Sequence, residues 1–302
     1  MADEDKGQAT GAPSSGARRQ ALLTLGMAGV GIGALYLLGL PPFSRGPIGP
    51  RVDLDGPDAP WRAHAATGAI GPEDAPRVAL ALLLPSTAAA ALDVSELPGG
   101  APLTLIQTAA DGPPDLAAAP HHELLLGLHG AGPAGDPTRD AWARSERRLQ
   151  PGLSPRENLR RLEDRLASGG PYLGVAVLGD GPLAGDLTLL RQVYRAAAER
   201  GLLALDGRGL NAGVAGLIGA THRGPAATAQ VLLDADPSTD AMARALAAVE
   251  ATARRERGCV ALARAEPATL AAIGQWARRG AGASLRLEAV SALVRARRLA
   301  SV

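Results

Sequence analysis

The chain has 302 residues, with 31 Lys or Arg against 30 Asp or Glu, so its formal net charge is +1. A near-neutral chain has no electrostatic basis for binding nucleic acid, and aromatic residues at 2% leave few stacking platforms for bases or sugars. The single cysteine, Cys259, excludes an internal disulfide, and its apolar neighbours predict a buried, unreactive thiol.

The first forty residues predict a membrane anchor. Residues 1–20 are polar and rich in Gly, Ser and Ala, which is typical of a disordered tail. Residues 21–40 carry no charge, and a helix of that length spans about 30 Å, the thickness of a bilayer's hydrocarbon core. Because Arg18 and Arg19 precede this run, the tail is expected in the cytoplasm. We therefore expect a single-pass inner-membrane protein whose folded domain lies in the periplasm.

The same residues permit a second interpretation of export. The run from Arg18 to Leu23 resembles a twin-arginine signal, followed by a mild apolar region that contains glycines. No small-x-small cleavage site follows it, so we favour an uncleaved anchor. Both interpretations place the domain on the same side of the membrane.

Residues 41–74 are predicted to be a linker. Their prolines are spread among glycines and acidic residues, a composition that favours an extended, semi-stiff tether. The folded domain is then predicted to cover residues 75–302.

Within that domain, apolar runs alternate with helical patterns. The alternation predicts an α/β domain with a mainly parallel sheet, but periodicity alone does not decide between an open sheet and a barrel. Strands are expected at residues 78–84, 103–108, 123–128, 172–178, 202–206, 230–233, 259–263 and 284–287. Helices are expected at residues 154–167, 187–200, 238–257 and 268–279, the last three ending before Gly201, Gly258 and Gly280.

Ligands of parallel α/β folds bind at the carboxyl ends of the strands, so polar residues there are the first candidates for a site. Asp206 ends one predicted strand and has Arg208 as a possible partner, while His129 ends another. Glu123 shares a strand face with His129 by alternation. These four residues are our candidate ligand contacts, although a structural ion pair or loop cap explains Asp206 and Arg208 equally well.

Other polar residues have simpler explanations. His121 and His122 are adjacent on a strand and cannot chelate one ion, so a solvated strand start is expected. Asp180 precedes Gly-Pro and fits a turn, and Asp234 and Asp236 fit a turn into the helix beginning near Ser238. The sequence contains no nucleotide-binding loop, zinc-helix motif or serine-elbow motif.

Seven stretches, taken in order along the domain, carry a resemblance to a known family: residues 77–80, 122–126, 155–159, 172–175, 200–206, 231–238 and 290–294. Together they resemble the divergent polysaccharide deacetylases of proteobacterial envelopes. The resemblance implies a distorted (β/α) barrel of polysaccharide-deacetylase type, here preceded by one transmembrane helix. In relatives such a barrel presents an aspartate and histidines to a divalent metal.

The family's chemistry does not carry over residue by residue. The paired aspartates that end the family's first strand fall on Leu83 and Leu84, and a family histidine falls on Gly127. An asparagine–histidine element falls on apolar residues ending at Leu178, and only the aspartate of the fifth strand is retained, as Asp206. Metal-assisted hydrolysis needs at least three protein ligands. We therefore expect no catalytic residues, no metal and no other cofactor.

Three functions follow as hypotheses. The leading one is a membrane-tethered, catalytically inactive domain that binds an envelope glycan or a periplasmic protein. The second is an active metal-dependent deacetylase with a relocated site built from His129, Asp206 and Glu123. The third is a structural envelope protein without affinity for glycans.

Overall fold

A computed structural model of the chain describes residues 53–54, 56–84, 97–107, 121–129, 149–167, 170–179, 182–207, 224–236, 238–279 and 284–300. All of them belong to one compact unit, Pro50–Val302. Its strands are β1 (Arg77–Leu83), β2 (Thr104–Gln107), β3 (Glu123–His129), β4 (Tyr172–Leu178), β5 (Leu203–Gly207), β6 (Ala226–Thr228), β7 (Val231–Leu232), β8 (Gly258–Arg264) and β9 (Arg286–Glu288). Its helices are α1 (Pro60–Ala63), α2 (Pro155–Ala167), α3 (Pro182–Gly185), α4 (Leu187–Glu199), α5 (Thr239–Glu256), α6 (Pro267–Arg278) and α7 (Val290–Leu299).

The strands form one parallel sheet in the order β6-β5-β4-β3-β2-β1-β8-β7, and β9 pairs with the first half of β1. Only two residues, Ala229 and Gln230, join the strands at the two ends of this order. Ala229 N–H donates to the carbonyl of Asp206 on β5, and Gln230 N–H donates to the carbonyl of Val260 on β8. The sheet therefore curls until its ends meet at this dipeptide, which fits the expected distorted barrel.

The two faces of the curled sheet pack against different layers. Alternate strand residues on the outer face, such as Val177 on β4, join a core with α2, α4, α5 and α6. Residues on the inner face, such as Ala81 and Leu205, form a second core with Trp61 of α1 and with α7. Alternation of side chains along each strand separates the two cores.

Helix caps follow the sequence closely. The Ser154 hydroxyl accepts a hydrogen bond from Glu157 N–H at 3.2 Å, as expected for the first turn of α2. The α5 helix ends differently, because Arg257 rather than Gly258 adopts the left-handed conformation, with φ of 58°. Gly258 instead begins β8, where an added Cβ would lie 3.1 Å from Leu293 Cδ1. Glycine therefore suits position 258 because the surroundings are closely packed, not because it ends the helix.

Residues 53–71, which we call the N-terminal strap, lie inside the predicted linker but pack on the domain. Trp61 is fully buried, and its backbone N–H donates to the carbonyl of Gly201 just before β5. Further along, Ile70 forms an antiparallel bridge with Leu287 on β9. Gly71 has φ of 109°, and an added Cβ would lie 2.2 Å from the Leu285 carbonyl oxygen, so only glycine fits. The packed part of the chain thus begins well before residue 75.

The predicted tail, the apolar segment 21–40 and residues 41–52 of the linker lie outside the described residues. Within the part of the chain that the structure describes, no helix combines the length and the apolarity needed to cross a bilayer.

Candidate ligand-binding site

The four positions at which the family's metal-site residues are expected lie at or near the carboxyl ends of the strands. Leu83 and Leu178 both pack in the inner core. Gly127 pairs in register with Ala176, another inner-face residue, so it belongs to the same face. Leu84 packs in the outer core instead. Three of the replaced positions therefore converge on one face, and the fourth does not.

This end of the inner face has an apolar floor formed by Leu178, Gly207 and Leu262. A Cβ added at Gly207 would lie 2.8 Å from Leu178 Cδ2 and 3.2 Å from Leu262 Cδ2. The two leucine side chains thus fill the space above the glycine, and both are almost completely buried. Divalent metals bind oxygen, nitrogen or thiolate donors, and this floor offers none. The described residues of this floor therefore do not fit the family's metal, and no cluster of three His, Cys, Asp or Glu side chains exists among the described residues.

Glu123 begins β3 and therefore lies at the opposite, amino end of the sheet. Its carboxylate is buried and accepts hydrogen bonds from Ala66 N–H at 3.2 Å, the Thr104 hydroxyl at 2.7 Å, and both the backbone N–H and the hydroxyl of Ser291. Burial raises the pKa of Glu123 above its usual range, although the hydrogen bonds from Ser291 and Thr104 act to lower it. The carboxylate also faces the first turn of α7, where backbone N–H groups favour negative charge.

The structure does not bring Glu123 together with the other candidate residues. Glu123 and His129 are six residues apart on one strand, which at about 3.3 Å per residue separates their backbones by about 20 Å. Asp206 is fully buried and shares its strand face with Ala204, which packs in the outer core. Arg208, like Asp180, lies outside the described residues. The predicted ligand contact of Arg208 and the predicted turn at Asp180 therefore stay predictions.

The adjacent histidines also lie at the amino end. His121 is exposed and His122 is half-buried, where desolvation lowers its pKa. His122 lines a cavity of about 300 Å³ together with the backbone turn at Gly99 and Gly100. The position at the start of β3 agrees with the prediction of a strand start rather than a chelating pair.

The buried thiol behaves as the sequence predicts. Cys259 is fully buried in the outer core, and desolvation raises its pKa to about 12. The thiol is therefore protonated at neutral pH, and a protonated, inaccessible thiol is a poor nucleophile.

Sequence reasoning missed a charged cluster at the carboxyl ends of β7 and β8. Asp234, predicted only as a turn residue, accepts the Arg264 backbone N–H at 2.8 Å and the Arg264 Nε–H at 3.1 Å. Glu266 Oε1 lies 3.2 Å from the same Nε. The available signal was an arginine directly after the buried run 259–263, which places a charge at a strand end. The turn at Asp236 is as predicted, since its carboxylate accepts Ser238 N–H at 2.9 Å.

A curled parallel sheet with helices outside defines a barrel-like α/β domain, a class of fold whose sites lie at the carboxyl ends of the strands. The model of the divergent polysaccharide deacetylase family matches residues 110–294, more than half of the chain, and the chain belongs to this family.

A solved structure supports the same fold. The crystal structure of the uncharacterized protein ATU2773 from Agrobacterium tumefaciens C58 is 26% identical, with a TM-score of 0.63, and the match covers 78% of this chain and 94% of that one. Among curated proteins, no match was found.

Proposed function

We propose that the protein is a membrane-tethered periplasmic domain of the divergent polysaccharide deacetylase family that lacks deacetylase activity and binds an envelope glycan or protein partner. The observation that carries this proposal is the apolar floor of Leu178, Gly207 and Leu262 at the end of the sheet where this fold places its chemistry.

Deacetylation by this family requires donor atoms that hold a metal. A hydrolytic metal centre keeps three protein ligands and a water whose pKa the ion lowers. Leu83, Gly127 and Leu178 converge on the inner face but supply no ligand atom. A relocated site built on Glu123 lacks support, because that carboxylate is occupied by donors at the other end of the sheet.

Metal retention and turnover test this part of the proposal together. The purified full-length protein is incubated with zinc, desalted and analysed for bound metal, and acetate release from an acetylated hexosamine polymer is measured with the same sample. We expect far less than one zinc per chain and no acetate above the blank. One retained zinc per chain together with acetate release would mean that the protein is an active deacetylase.

A pull-down separates the two inactive alternatives. Insoluble envelope glycan should retain the protein, and added soluble glycan should release it. If neither the glycan nor envelope protein fractions retain the protein, only the hypothesis of a structural envelope protein without affinity for glycans remains.

The membrane tether is proposed from residues 21–40, an uncharged run of bilayer length that follows Arg18 and Arg19. A reporter that matures only outside the cytoplasm, fused after Val302, should be active and membrane-bound. Replacing both arginines with lysine should abolish export only if the signal is of the twin-arginine type. Recovery of the uncleaved protein in the soluble cytosolic fraction contradicts the tether.

A further inference from the structure

Arg264 ends β8 at the carboxyl edge of the sheet, in register with Leu83 at the end of β1. Two residues before it, Leu262 packs in the inner core, so alternation places Arg264 on the inner face as well. Its side chain is 43% exposed, in contrast to the buried leucines of the floor. It is therefore a charged group at the rim of the apolar floor.

The guanidinium makes its side-chain hydrogen bond through Nε, to Asp234 at 3.1 Å. Nε is also 3.2 Å from Glu266 Oε1. Among the described residues, neither Nη1 nor Nη2 of Arg264 donates a hydrogen bond. Because the Asp234 carboxylate also binds the Arg264 backbone N–H, the planar group is fixed at its base and its terminal donors are available.

The local charge excludes one class of ligand. One arginine and two carboxylates give the cluster a net charge of −1, so an anionic ligand meets repulsion from Asp234 and Glu266. Neutral oxygen acceptors, such as hydroxyl and carbonyl groups, meet no such penalty and match the N–H donors.

An apolar surface lies next to these donors. Leu232 on β7 pairs in register with Leu262, which puts it on the same face as Arg264, and its side chain is exposed at 49%. Leu83, beside Arg264 in register, is also partly exposed. Apolar walls with a few placed polar groups are the usual composition of a small-molecule site.

We infer that Arg264 is a specificity-determining contact for a neutral sugar unit of the bound glycan. Its Nη groups donate to hydroxyl or carbonyl oxygens of the sugar, while Leu83 and Leu232 pack against the sugar's C–H face. This inference rests on the proposed glycan-binding function and names the class of sugar.

The test compares Arg264→Lys and Arg264→Gln with Arg255→Gln in the full-length protein. Lysine keeps a charge for Asp234 but lacks the planar fork, so it separates recognition from folding. Arg255 is a matched control, because it is a 68% exposed arginine on α5 that pairs only with its neighbour Glu256 among the described residues. Binding is measured on chitin and cellulose as neutral probes and on polygalacturonate as an acidic one, with thermal melts of each variant.

We expect the wild type to prefer the neutral probes and both Arg264 variants to bind them about tenfold more weakly, the effect of losing one good hydrogen-bonded contact. Arg255→Gln should bind like the wild type, and Arg264→Lys should keep the wild-type melting temperature. Equal binding by Arg264→Lys and the wild type overturns the inference and leaves glycan binding intact, as does a preference for polygalacturonate. No binding of the wild type to any probe overturns the proposed glycan-binding function and this inference with it.

Discussion

The two ends of the barrel use polar residues in opposite ways. At the amino end, Glu123 is buried and accepts hydrogen bonds from the N-terminal strap, from β2 and from the start of α7. At the carboxyl end, the inner face is closed by Leu178 and Leu262 over Gly207. The amino end therefore holds a buried polar residue that supports the fold, whereas the described inner face at the carboxyl end is apolar except at its rim.

This difference shows that a buried carboxylate is not by itself a sign of catalysis. Glu288 is a second example, since its side chain is 1% exposed and pairs with Arg77 at 2.6 Å. Burial raises the pKa of Glu288, with Arg77 and Arg286 acting in the opposite direction. Perturbed pKa values also arise in structural ion-pair networks, and the network of Glu288 lies at the amino end of the sheet.

Among substitutions at the amino end, Trp61→Ala is expected to lower the free energy of unfolding the most. The side chain is fully buried in the inner core, and its Nε1–H donates to the Leu54 carbonyl at 2.8 Å. Removing a buried tryptophan costs about 3–5 kcal/mol, which chemical denaturation would measure as a lower free energy of unfolding.

The matched control for Trp61→Ala is Trp61→Phe, which keeps most of the volume and loses only the hydrogen bond, so a much smaller loss is expected. If Trp61→Ala lowers the free energy of unfolding no more than Trp61→Phe does, the strap is not an integral part of the domain.

The next largest effect at the amino end is expected from Glu123→Gln. In this variant one carboxylate oxygen becomes an NH2 group, which cannot accept the hydrogen bonds that Ala66, Thr104 and Ser291 donate. The Thr104 Oγ1 atom is also engaged as an acceptor, from Val290 N–H at 2.9 Å. Leaving buried donors without an acceptor costs about 1–3 kcal/mol.

This substitution also has a predicted pH dependence. The pKa of Glu123 is raised in the folded state, so its contribution to stability is complete below the ordinary glutamate pKa and is lost as the pH rises through the raised value. Glutamine does not titrate, so the destabilisation relative to wild type should shrink as the pH rises across that window. A destabilisation that grows with pH would show that the carboxylate is preferentially charged in the folded state.

Much of the fold could be predicted from local patterns. The strands β1, β3 and β4 and the helix α2 lie within one or two residues of their predicted bounds, because alternation and the Ser154 cap are local signals. Closure at Ala229 and Gln230 is not local. The predicted strand at 230–233 corresponds to β7 alone, whereas β6, at the opposite end of the strand order, was not predicted.

The N-terminal strap shows a second limit of sequence reasoning. Proline and glycine around Trp61 are typical of a linker, and nothing in that composition indicates that the indole enters a core shared with β4, more than a hundred positions away. A tertiary contact of this kind overrides the local signal.

The positions of the candidate site were easier to predict than its contacts. Matching residues to the family identified Leu83, Gly127 and Leu178 as apolar replacements, and register places all three on one face. The role of Glu123 was not predictable, because alternation gives the face of a strand residue but not the partners at its end. Arg264 was missed because its significance depends on Asp234, thirty positions earlier in the chain.

The smallest predicted effect sharpens the description of the carboxyl end. Gly207→Ala places a methyl group 2.8 Å from Leu178 Cδ2, so this side chain must shift. Overpacking costs about 1–3 kcal/mol, and the terminal atoms of a leucine move readily, so we expect a loss of about 1 kcal/mol.

Gly99→Ala is the matched control, because an added Cβ there meets nothing within 4 Å and the residue has no positive φ. Its free energy of unfolding should stay within about 0.5 kcal/mol of wild type. If both variants unfold at the same denaturant concentration, the space above Gly207 is open rather than filled, and a ligand has room to reach the floor itself.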